Sequence, residues 1–113
     1  MRTQEPGHIT VPYDDVHQMK EALSKQPLNL SIQANATSFR SYTSGILNDP
    51  ACGNVHNHAV LLVGWGIEND VEYWTVKNSW GPDWGENGFI RLAIVEGDGI
   101  CGTQMWPIYP VLA

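Results

Sequence analysis

The chain has 113 residues, enough for one domain, and its 42% hydrophobic and 16% charged content excludes a disordered tail or a coiled coil. Six Lys and Arg against twelve Asp and Glu leave a net charge of −6, which argues against a nucleic-acid partner and against attraction to anionic membranes. The longest apolar stretch, Ala59 to Val63, is far short of the roughly 20 residues a spanning helix needs.

Residues 1–13 read as an extended lead-in. Met1 to His8 is polar and has no apolar core for a signal peptide, so any targeting segment is expected outside these residues. Asp14-Asp15 offers an N-cap, with Gln18 as the capping-box partner of Asp15. Val16, Met19, Ala22 and Leu23 share one helical face, which predicts a helix over about 15–25 that Pro27 cannot continue. Leu28, Leu30 and Ile32 then alternate with Asn29, Ser31 and Gln33, a strand with one buried face. Residues 35–57 read as loop, with a turn of helix near Phe39 to Tyr42. His58 to Gly66 is a strand, apolar on both faces at its centre. Glu68-Asn69-Asp70 is a turn, and Glu72 to Asn78 is the hairpin partner. The Gly- and Trp-rich stretch 79–87 is irregular, and Gly88 to Ile94 is a third strand. Residues 97–104 form a Gly-rich loop carrying Cys101, and 105–112 return as a final strand. The expected architecture is one α+β domain over residues 1–113. It has one short N-terminal helix and an antiparallel sheet curled into a partial barrel.

Cys52 and Cys101 are the only cysteines. A pair in a small domain suggests one disulfide and an oxidising compartment; closing the loop would contribute about 4 kcal/mol. Two Asn-x-Ser/Thr sequons, Asn29-Leu30-Ser31 and Asn35-Ala36-Thr37, point weakly to a secretory route, and Asn35 is the expected acceptor because Asn29 falls in a strand. Trp65, Trp74, Trp80, Trp84 and Trp106 all lie in the second half, and core packing is the expected role of most of them. His8 and His17 read as solvated.

His58 opens one strand and Asn78 closes its partner, so in an antiparallel hairpin the two side chains can meet at one end of the sheet. A carboxamide oxygen can accept from one ring N–H, fixing the tautomer and leaving the other nitrogen for proton transfer. By itself such a pair is more often structural than catalytic. His56 and His58 also share a strand face and, with Cys52, suggest a metal site. The ligands are too few and Cys52 is expected to be oxidised, so no metal and no cofactor are expected.

The letters around these residues carry more. Asn57-His58-Ala59-Val60 with Gly64-Trp65-Gly66, then Tyr73-Trp74-Thr75-Val76-Lys77-Asn78-Ser79-Trp80-Gly81, then Trp84-Gly85-Glu86-Asn87-Gly88-Phe89-Ile90-Arg91 follow one another in register. Gly99-Ile100-Cys101-Gly102 and Tyr109-Pro110 come after them, and Gln26-Pro27-Leu28 and Ser44-Gly45-Ile46 before. From about Val11 to Val111 the chain resembles the C-terminal, β-rich half of the papain-like cysteine peptidases of the papain and cathepsin L type. The resemblance implies that His58 pairs with a cysteine thiolate and protonates the leaving amine, and that Asn78 orients it. It further implies that Trp80 covers their hydrogen bond, that Trp84 lines the leaving-group side, and that Cys52 and Cys101 form a disulfide. Ser31, Asn57 and Trp106 would line the pocket for the second residue before the scissile bond; a Trp at 106, where the family often has a small residue, would fill or block it.

The family's Cys-Gly-Ser-Cys-Trp segment and its oxyanion Gln are not in these residues. The resemblance therefore implies part of a cysteine endopeptidase, acting on peptides, that is inactive alone. The expected partner is a helical half bearing the nucleophile, with self-association or another protein over the exposed face as alternatives. The implied setting is secreted, or a lysosomal or vacuolar lumen. The competing reading is a non-catalytic papain-like module with a structural or protein-binding role.

Overall fold

The computed structural model describes residues 4–5, 8–12 and 14–110; the remaining parts of the expected lead-in and of the final strand lie outside the described residues. The strands are β1 (Gln4–Glu5), β2 (His8–Thr10), β3 (Leu28–Ile32), β4 (Ile46–Leu47), β5 (His58–Glu68), β6 (Val71–Lys77), β7 (Phe89–Ala93) and β8 (Ile108–Pro110). Two helices, α1 (Val16–Leu23) and α2 (Thr37–Arg40), and 3₁₀ turns at Pro50–Cys52 and Ile100–Gly102 complete the chain. All eight strands form one sheet in the order β1-β2-β8-β3-β5-β6-β7-β4.

Local chemistry accounts for most of these elements. Asp15 caps α1, its Oδ1 accepting from the Gln18 amide at 2.9 Å. The helix buries Met19 and Ala22. It ends at Leu23, and the Ser24 amide closes it on Lys20 O. β3 buries Leu28, Leu30 and Ile32 at 2% exposure or less, each contributing on the order of 2 kcal/mol of apolar burial. β5 and β6 are joined by Asn69-Asp70, both at positive φ (51° and 65°), the backbone of a two-residue hairpin turn that follows sheet twist. A bulge between Leu62 and Gly64 breaks the alternation of β5, and beyond it Trp65 and Ile67 are exposed.

Three expectations are corrected. The turn of helix expected near Phe39 to Tyr42 forms two residues earlier, as a second helix α2 in place of the single helix expected, with Phe39 fully buried in it. The sheet is mixed, not antiparallel: β4 runs parallel to β7, with Ile46 opposite Arg91 and Leu47 opposite Leu92. A two-residue strand has no period to read, and side chains hold it in place. Tyr42 Oη donates to Gly45 O at 2.6 Å, the Gly45 amide donates to Glu86 Oε2 at 3.1 Å, and Glu86 receives Arg91 Nε and Nη2 at 2.8 and 2.9 Å. The Arg91 guanidinium accordingly holds the Glu86 carboxyl below its usual range. Finally, among the described residues β1 and β4 are the two ends of the sheet and are not paired with each other, so the expected partial barrel stays open.

The 97–104 loop is tied down from inside. Gln104 is fully buried, accepts from Trp74 Nε1 at 3.2 Å, and donates through Nε2 to Val95 O (2.7 Å) and Gly97 O (2.9 Å). Cys52 and Cys101, both buried, are joined in a disulfide that links the two 3₁₀ turns. Among the described residues no helix is long and apolar enough to cross a membrane.

Candidate active site

The antiparallel register of β5 and β6 pairs Leu61 with Lys77, which brings the first residue of β5 and the residue after β6 to the same end of the sheet. There His58 Nε2 lies 2.7 Å from Asn78 Oδ1. The Ser79 amide also donates to that oxygen at 2.7 Å. The Ser79 N–H can only donate, so the atom it meets is the carboxamide oxygen, since a flipped amide would set N–H against N–H. An oxygen that only accepts assigns the ring proton to Nε2 and leaves Nδ1 as the basic nitrogen of the neutral imidazole. Nδ1 makes no hydrogen bond among the described residues. Asn78 is 6% exposed, and its Nδ2 is buried without a partner among the described residues.

Aromatic rings support this pair. The Trp80 ring lies beside His58 with centroids 5.3 Å apart. Phe39 and Trp84 meet Trp80 edge-on at 5.4 and 5.3 Å. Trp84 also packs on Tyr42 at 5.6 Å and donates from Nε1 to Arg40 O at 3.1 Å. The irregular 79–88 segment is drawn tight beneath these rings. Gly85 is at φ +60°, and a Cβ there would lie 2.6 Å from Phe89 O and 3.1 Å from the Tyr42 ring.

His58 opens onto a pocket of about 490 Å³ lined by Ala34, Asn35, Arg40, Asn57, His58 and Trp80. Asn57 is anchored there, its Oδ1 accepting from the Ala34 amide at 2.9 Å. The residues singled out from sequence divide. His58, Asn78 and Trp80 meet, and Asn57 shares the pocket wall. Trp84 supports Trp80 from behind and does not line the pocket. Ser31 pairs with Ala59 inside the sheet, while Trp106 is half exposed near His56, centroids 6.2 Å apart. Neither lines the pocket that holds Asn57 and His58. Cys52 is consumed by the disulfide, and among the described residues no group of three or more His, Cys, Asp or Glu side chains could hold a metal ion.

Sequence reading missed Ala34 and Arg40 on the wall and Phe39 beneath Trp80. The available signal was Phe39 and Tyr42, two large rings in the otherwise polar or small-residue stretch 35–45.

Comparison with known proteins agrees with this architecture. The family model described as papain family cysteine protease matches residues 2–111. Vignain of Ricinus communis is 41% identical over 108 residues, covering 93% of this chain and 30% of the relative. Germination-specific cysteine protease 1 of Arabidopsis thaliana is 44% identical over 108 residues, covering 93% and 28%. The solved structure of the bromelain protease from Ananas comosus superposes with a TM-score of 0.88 at 44% identity, over 95% of this chain and 50% of that one. The chain thus spans about 30% of the curated relatives it matches. With the family model covering all but three residues and the fold shared at that level, the chain belongs to the papain family of cysteine proteases, of which it represents a part.

Proposed function

We propose that this chain is the part of a papain-type cysteine endopeptidase that supplies the acid–base imidazole, His58, and its orienting carboxamide, Asn78. The observation that carries the reading is the 2.7 Å His58 Nε2 to Asn78 Oδ1 contact, with the oxygen pinned by the Ser79 amide. With Nε2 holding the proton, Nδ1 takes the proton of a cysteine thiol, and the resulting thiolate attacks the scissile carbonyl. The imidazolium then returns its proton to the departing amine. Asn78 keeps the ring in the orientation both transfers need, and Trp80 shields the contact from water.

Both cysteines of the 113 residues are in the disulfide, so the thiol belongs to another polypeptide segment. The face that segment would cover is outward β5 and its neighbours. Asn29, Ala59, Leu61, Lys77, Asn78 and Ser79 line a second pocket of about 370 Å³ there. An oxidising lumen, secretory or vacuolar, suits the disulfide.

The test is peptide turnover. The chain alone is expected to cleave nothing. Mixed with a separately expressed helical half carrying the thiol, it is expected to cleave peptides, and His58→Ala is expected to abolish that cleavage. Turnover by the chain alone that disappears in His58→Ala would refute the proposal.

A further inference from the structure

The sequon Asn35-Ala36-Thr37 lies where the polypeptide leaves β3 for α2, outside every strand pairing. Asn35 and Thr37 are exposed, and Ala36 between them is extended at φ −68°, ψ 144°. Gln33 Nε2 donates to Asn35 Oδ1 at 2.8 Å, so the amide is held by its oxygen while Nδ2 has no acceptor among the described residues. Nδ2 is the atom an N-linked glycan uses. The second sequon differs in kind. Asn29 is locked in β3 between Leu61 of β5 and Ile108 of β8, and its side chain faces the pocket formed with Lys77 and Asn78. The disulfide, independently, indicates folding in an oxidising compartment, which is where such transfer takes place.

Asn35 is also a wall residue of the His58 pocket, together with Arg40, Asn57 and Trp80. We propose that Asn35 carries an N-linked oligosaccharide which stands on the wall of the His58 pocket and limits that pocket to slender ligands. In the transfer, Nδ2 forms a bond to C1 of the first N-acetylglucosamine and loses one proton. The C1–O bond to a lipid-linked pyrophosphate donor breaks, and the pyrophosphate leaves with the bonding pair. The consequence for substrates, unlike the attachment itself, rests on the proposed function. An extended peptide could pass beside the sugar, whereas a folded protein surface would meet it first.

The chain, secreted from a eukaryotic host, is to be weighed intact before and after treatment with a peptide N-glycosidase. A carbohydrate mass that enzyme treatment removes is expected. It should be absent from N35Q and T37A and retained in T37S, N29Q and S31A. Secretion of each variant serves as the folding control. An unmodified secreted chain, or a carbohydrate mass that persists in N35Q, would overturn the assignment. For the covering effect, Arg40→Cys places a thiol on the same wall. The glycan is expected to slow its reaction with a polymer-linked maleimide several-fold, relative to protein trimmed to one sugar, while N-ethylmaleimide reacts equally with both. Equal rates for the polymer reagent would rule out the covering effect. Neither readout involves peptide cleavage, so failure here leaves the assignment of His58 and Asn78 standing, and the reverse also holds.

Discussion

Replacing both cysteines with alanine tests how this small domain is held together around its candidate site. The disulfide spans a sequence separation of 49 residues. Loop-closure entropy for that length amounts to about 4 kcal/mol of constraint on the unfolded chain. A domain of this size has a total stability of roughly 6–17 kcal/mol, so the bridge accounts for a large share of it. Both Sγ atoms are buried, so their removal adds a packing loss in the same direction. Urea unfolding followed by tryptophan emission should show the Cys52→Ala, Cys101→Ala double variant losing about 4 kcal/mol, a midpoint lower by roughly 2 M. The damage should also be local. The Gln33 amide donates to Cys101 O at 2.9 Å and is expected to lose hydrogen-exchange protection. The Met19 amide, bonded to Asp15 O inside α1, is expected to keep more of its protection. A double variant within about 1 kcal/mol of the parent, with the parent's bridge verified by mass, would refute the loop-entropy reasoning.

Two further perturbations probe buried polar chemistry. Burial, a hydrogen bond to Asp98 and the Asp98 charge raise the Asp14 carboxyl from 3.8 to about 6. A carboxyl raised on folding binds its proton more tightly in the native state, so stability is gained as pH falls through 6 and the gain is complete below 3.8. Because Asp14 is partly exposed, solvent screening holds the gain to about 1 kcal/mol. Asp14→Asn should flatten that part of the pH profile of the melting temperature, and an unchanged acid-side slope would count against the carboxyl pair. Gln104→Leu strips partners from one buried indole N–H and two carbonyls and is expected to cost about 3 kcal/mol or more in urea unfolding. A loss below about 1 kcal/mol would mean that these groups find other partners.

Much was determined by the amino-acid order alone. The alternation of Leu28, Leu30 and Ile32, the Asp15 cap, the Asn69-Asp70 turn and the hairpin of β5 and β6 each follow from preferences acting over two to four neighbours. That hairpin also made the approach of His58 to Asn78 legible, since antiparallel pairing puts the start of one strand beside the end of the next. The tertiary structure alone decided the rest. The parallel seating of β4 on β7 depends on Glu86 reaching Gly45 across 41 positions, and no local period announces a two-residue strand. Phe39 became the floor under Trp80 only once α2 docked, and Ala34, Asn35 and Arg40 became a pocket wall only when the end of β3 was brought beside Asn57. Ser31 and Trp106, alike in sequence promise, were left apart from that pocket. The physical reason is the same throughout: backbone preferences are local, whereas which distant side chains share a cavity is settled by packing and by the loops that packing must close.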